Sequence, residues 1–98
     1  MHAVYQILDV QVVAPYTLVV AFHDGTRQEI DLEPVLHGEM YGPLRQPELF
    51  AAVTVDPEAG TVVWPNGADF DPETLHDWPE HREAFIAAAQ RWASALSA

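Results

Sequence analysis

Apolar and polar positions alternate through the first third of the chain, and apolar positions recur every three or four residues at its end. Val4 to Val13 is rich in β-branched residues and predicts a first strand. Ala14-Pro15 interrupts it, because proline has no N–H to give a ladder. In a second strand from Tyr16 to Phe22, the two-residue period puts Tyr16, Leu18, Val20 and Phe22 on one face. His23-Asp24-Gly25 signals a hairpin. Thr26 to Leu32 predicts a third strand, with Ile30 and Leu32 inward and Glu29 and Asp31 outward. Parity selects the turn. A two-residue loop at Asp24-Gly25 would set Ile30 against Val19, on the wrong face. A three-residue loop from His23 to Gly25 sets Ile30 against Leu18 and Leu32 against Tyr16. The pattern therefore predicts a type I turn closed by Gly25 at positive φ in a bulge.

The middle of the chain reads as short pieces. Pro34 opens a helical turn that Gly38 ends after His37. Tyr41-Gly42-Pro43 is a bend, and Leu44 to Phe50 holds a second helical segment with Pro47 opening a turn. Leu36, Leu44, Leu49 and Phe50 are expected to pack this connection on the sheet. Val53 to Asp56 and Thr61 to Trp64 predict a second hairpin. Its four-residue loop, Pro57 to Gly60, sets Val55 against Val62 and Val53 against Trp64. Pro65 stops the fifth strand, and Asn66-Gly67 tolerates positive φ. Asp71 is placed to cap a helical turn with Pro72 at its first position. Asp77 with Glu80 is a second start signal. The final helix is expected from about Pro79 to Leu96, with Phe85, Ala89, Trp92 and Leu96 on one stripe that Ile86 and Ala93 widen. The expected fold is α+β: a five-stranded antiparallel sheet, built from three strands, a short helical connection and a β-hairpin, with a C-terminal amphipathic helix.

Composition narrows the function. The chain has 98 residues, enough for one domain with a core, and 49% of them are hydrophobic. The absence of cysteine excludes disulfides and thiolate metal sites. Neither a signal peptide nor a spanning apolar run is legible, so a cytoplasmic location away from the membrane is expected. Fifteen acidic residues face four arginines and no lysine, for a formal net charge of −11. Nucleic-acid binders draw affinity from basic groups, so direct nucleic-acid binding is not expected. The same charge favours a basic protein partner, or serves solubility alone.

Several stretches together resemble a small bacterial family, domain of unknown function 2442. They are Tyr16-Thr-Leu-Val-Val-Ala-Phe-His-Asp-Gly25, Leu44 to Phe50, Val55-Asp56, and above all Trp64-Pro-Asn-Gly-Ala-Asp-Phe-Asp-Pro-Glu73. The structural motif within the last stretch is Trp64, Pro65, Asn66, Gly67, Asp69 and Asp71. The resemblance covers about Val4 to Leu75. It divides the chain into a family-like α+β domain over 1–76 and a C-terminal helix over 77–98, part of the same domain or a contact for an oligomer or partner. Where family members usually carry a tyrosine, this chain has His76. The resemblance implies an antiparallel α+β fold, and implies neither an established activity nor a cofactor. Genes of the family often stand beside a small toxin-like family, which implies an antitoxin-like role.

Asp69, Asp71 and His76 are the metal-ligand candidates, with His81 further on, since carboxylate and imidazole can hold a divalent ion. The plainer reading is that Asp71 caps a helix and Asp69 ties the turn through backbone N–H groups. The plainer reading of Trp64 is a core residue. Trp78, Phe85, Trp92 and Leu96 are partner-contact candidates, although such a stripe more often docks on its own sheet. Trp78 fits either packing or an exposed contact. The expected function is a non-enzymatic acidic protein-binding module, antitoxin-like, with a small basic protein as partner. Two alternatives stand beside it: a metal-assisted hydrolase at Asp69, Asp71 and His76, and a structural homodimer through the last helix.

Overall fold

The computed structural model describes the backbone of residues 5–97 and the side chains of residues 5–94. Val4 and the Leu96 side chain therefore lie outside the described residues. Strands β1 (Ile7–Ala14), β2 (Thr17–Phe22) and β3 (Arg27–Asp31) form an antiparallel sheet with β2 in the middle. Leu18 pairs with Ile30, as the parity of the hairpin requires. The Phe22 N–H donates to the Thr26 carbonyl at 2.8 Å, the Gly25 N–H donates to the Phe22 carbonyl at 3.0 Å, and Gly25 has φ +90°. The three-residue loop is thus present.

Tyr16 departs from expectation. It sits in the turn between β1 and β2, with φ +61°, and not in the second strand. Pro15 fixes the first central position of a two-residue turn, and a turn of that hand needs positive φ at the next residue. Tyrosine is an uncommon choice there. Its hydroxyl donates to the Arg45 carbonyl at 2.5 Å and its ring meets the edge of Phe50, which offsets the backbone cost.

The expected five-stranded sheet is two sheets. β4 (Thr54–Asp56) and β5 (Thr61–Val63) pair only with each other, with Val55 against Val62 as predicted. Both are three residues long; Pro57 directly follows β4, and Pro65 stands two residues after β5. The outer side of β5 is taken by the returning chain through a bridge between Val63 and Asp69. One backbone bond, Ile7 N–H to the Gly60 carbonyl at 2.9 Å, ties the hairpin tip to β1.

Between the sheets the chain runs through a Pro34-containing 3-10 turn (Glu33–Val35), α1 (Gly38–Tyr41), a second 3-10 turn (Gly42–Arg45) and α2 (Pro47–Phe50). Leu36, Leu44 and Phe50 are buried and Leu49 is half-buried, so this connection does cover the sheet. α3 (Pro72–His76) and α4 (Trp78–Ser97) complete the chain. α4 rests mainly on the Glu33–Val35 turn, α1 and α3, not on the sheet where it was expected. The core centres on Leu18, Val20, Ile30, Leu32, Val62 and Leu75, and every buried side-chain polar atom among the described residues has a partner.

Candidate functional site

The Trp64 corner is held by its own side chains. The Trp64 ring is buried and its indole N–H donates to the Phe50 carbonyl at 2.9 Å. The Trp64 N–H donates to the Ala68 carbonyl, closing a turn over Pro65, Asn66 and Gly67 (φ +91°). Asn66 ties this turn: its carbonyl oxygen accepts from the Ala68 N–H at 3.2 Å and its amide donates to the Met40 carbonyl at 3.0 Å. Asp69 was expected in that role. It gives its backbone carbonyl to the Tyr41 hydroxyl at 2.8 Å instead. Asp71 caps α3, accepting from the Glu73 N–H at 3.4 Å, with Pro72 at the first helical position.

The structure does not join His76 to these two carboxylates. His76 Nε2 lies 2.8 Å from Asp24 Oδ2, and Nδ1 lies 2.8 Å from Asp77 Oδ1. Tyr5 stacks on the ring at 3.6 Å and Phe22 meets it edge-on at 4.8 Å. Gln28 donates to the His76 carbonyl at 2.6 Å. The side chain is 13% exposed. Asp77 gives only its backbone carbonyl to the start of α4, at Glu80; its carboxylate belongs to His76. The Asp77 bond raises the His76 pKa above 6.5, Asp24 adds to it, and desolvation opposes both. Asp24 is held at about 2, first by the Thr26 N–H and then by His76. With both nitrogens facing carboxylates, the imidazolium is favoured and fastens the β2–β3 turn to the junction of α3 and α4. Among the described residues no group of three or more His, Asp or Glu is placed to hold a metal ion.

The α4 stripe turns inward. Trp78 is 4% exposed and packs in the core. Phe85 is half-buried among Tyr41, Phe70, Trp78 and Trp92. Trp92 is 36% exposed and covers Gly38 and Tyr41.

Three of the exposed large apolar side chains lie on β1, where Leu8, Val12 and Val13 are 64%, 41% and 50% exposed; Met40 on α1 and Trp92 on α4 are the others among the described residues. Sequence reasoning did not single out the three on β1, because a β-branched run looks the same in a central and an edge strand. Register shows what the edge offers. The Phe22 N–H and the Tyr16 carbonyl bond toward β3. Alternation then turns Thr17, Val19 and Ala21 toward β1, where Gln11 and Asp9 face Val19 and Ala21. Val10 and Val12, one residue out of step, turn their N–H and C=O outward. Irregularities between Ile7 and Asp9 and between Val12 and Ala14 flank this run. Past Ile7, no described backbone group bonds to that edge. Beneath its far end lies an open apolar groove of about 390 Å³, lined by Val12, Ala14, Pro15, Tyr16, Pro47 and Phe50.

The family model described as "Protein of unknown function (DUF2442)" matches residues 7–81. The chain belongs to this family. No curated protein and no solved structure matches the chain. The DUF2442 match takes in both sheets, the Trp64 corner and His76, and ends at His81 inside α4. Phe85 and Trp92 lie beyond it, whereas residues 77–81 of the expected C-terminal extension fall within it. No described helix is long and apolar enough to cross a membrane.

Proposed function

We propose that this DUF2442 protein is a non-enzymatic, acidic protein-binding module of the cytoplasm, the antitoxin-like partner of a small, basic, toxin-like protein. The observation that carries the reading is the open β1 edge, with Leu8, Val12 and Val13 exposed in a chain of net charge −11. Exposed apolar residues grouped on one element mark interaction surfaces more than singly scattered ones do. A strongly acidic chain speeds encounter with a basic partner and repels anionic ones. The mechanism is occlusion: the acidic module covers a basic surface its partner needs. Trp78 and Phe85 are packed within the domain, which leaves Trp92 as the exposed partner-contact candidate of α4 among the described side chains, and the reading places the main contact on β1. Co-expression with the product of the adjacent gene tests the reading. The two proteins should co-purify, and growth inhibition by the neighbour should be relieved. A neighbour that neither binds nor is neutralised overturns it.

A further inference from the structure

Resting on the protein-binding reading above, we infer that the outer edge of β1 takes up a short extended segment of the partner as an added strand, and that this segment alternates apolar with basic side chains. The backbone supplies the first half of the inference. Val10 and Val12 aim unpaired N–H and C=O groups outward, and a strand edge of this kind is a template for another chain. Asp9 to Val12 carries neither lysine nor proline, and its protection is limited to the Asp9 charge and the irregularities at its two ends. The flanking irregularities keep the usable run short. Side chains of an added strand fall alternately on the two faces of the sheet. On the inner face, the groove bordered by Val12, Tyr16 and Phe50 receives an apolar side chain.

Charge supplies the second half. Asp9 is exposed on β1 itself, and Glu48 follows Pro47 in the groove wall. Asp56 and Glu58 stand on the hairpin that packs beside β1. Arg45, beside this groove through its bond to Tyr16, turns its guanidinium away, with Nε donating to the Leu36 carbonyl at 2.8 Å and Nη2 to the Glu33 carbonyl at 3.2 Å. Basic side chains on the incoming strand complement this surround. A second copy of the chain would bring a further charge of −11 and its own Asp9 to the same edge, so a basic segment fits better than self-pairing.

The test titrates the isotope-labelled full chain with a short synthetic peptide alternating valine and lysine. Two controls replace lysine by glutamate, or N-methylate the peptide along one edge. Val12→Pro removes an outward N–H and leaves the β2 ladder intact. The lysine peptide should bind and slow amide exchange at Val10 and Val12. Neither control should bind, and Val12→Pro should weaken binding roughly tenfold, the loss of one backbone bond. Equal binding of the N-methylated peptide, protection mapping to α4, or no binding of the lysine peptide each overturns the inference. So does a dimer in sedimentation with both amides already protected, which would put a second copy on the edge. The adjacent gene's product separates the two levels. Capture by wild type and not by Val12→Pro supports both. Equal capture by wild type and Val12→Pro sinks the edge and spares the protein-binding reading. Capture by neither sinks that reading and this inference with it.

Discussion

His76 makes one side chain answerable for the pH dependence of the fold. Its pKa is raised above 6.5, so its bonds contribute fully below 6.5 and are lost as pH rises through the higher folded value. Asp24 acts in the opposite sense. Its pKa falls from 3.8 to about 2, so its contribution is present above 3.8 and is lost as pH falls toward 2. Thermal unfolding should therefore show Tm declining as pH rises past 6.5, and His76→Gln should flatten that decline. A variant with the wild-type slope would refute the assignment. Trp64 gives a second expectation at this scale. Trp64→Phe keeps an aromatic ring but removes the indole N–H and part of the buried ring volume, leaving the Phe50 carbonyl unpaired. The expected loss is about 1–3 kcal/mol in denaturant unfolding. The Asp71 cap and the buried Trp64 were legible in the sequence, because both depend on neighbours a few residues away. His76 was picked out for the wrong company. Its partner Asp24 lies 52 positions earlier, and no local pattern connects them.

At the scale of elements, the β2–β3 register was legible because parity and turn length admit one solution. The division into two sheets was not. It depends on whether the β4–β5 hairpin forms a ladder with β1 or packs beside it with one backbone bond at Gly60, and strand pattern carries no information about that choice. The seat of α4 was equally hidden, since an apolar stripe does not name the surface it meets. Gly38 is one point of close approach in that seat. It has φ +87°, and a Cβ there would stand 3.3 Å from the Trp92 Cβ. Gly38→Ala should destabilise the protein by about 1–3 kcal/mol, from backbone strain together with the contact. The loss should shrink in a Trp92→Gly background, where the Cβ that makes the contact is gone. Equal losses in both backgrounds, measured by a double-mutant cycle, would assign the whole effect to φ. Phe85→Ala tests the other end of the seat. Its ring links Tyr41, Phe70, Trp78 and Trp92, and an expected loss of about 2–4 kcal/mol would separate a docked helix from a trailing one.

The whole molecule combines a packed interior with a charge of −11. Like charges on one compact body repel, and salt screens them over about 8 Å at physiological ionic strength. Tm at neutral pH should accordingly rise with added sodium chloride, and a fall would mean that the His76 ion pairs outweigh the general repulsion. The α+β class and the appended helix could be read from the chain. The exposed side of the molecule could not, because exposure is settled by which strand ends up at an edge. The three tryptophans stand at three places in this body: Trp64 and Trp78 inside, Trp92 half open to solvent over Gly38. The molecule is thus its own optical gauge. In the native protein a soluble quencher reaches one indole before the others, so dimming of the red side of the emission tracks the seat of the last helix while the blue side tracks the interior.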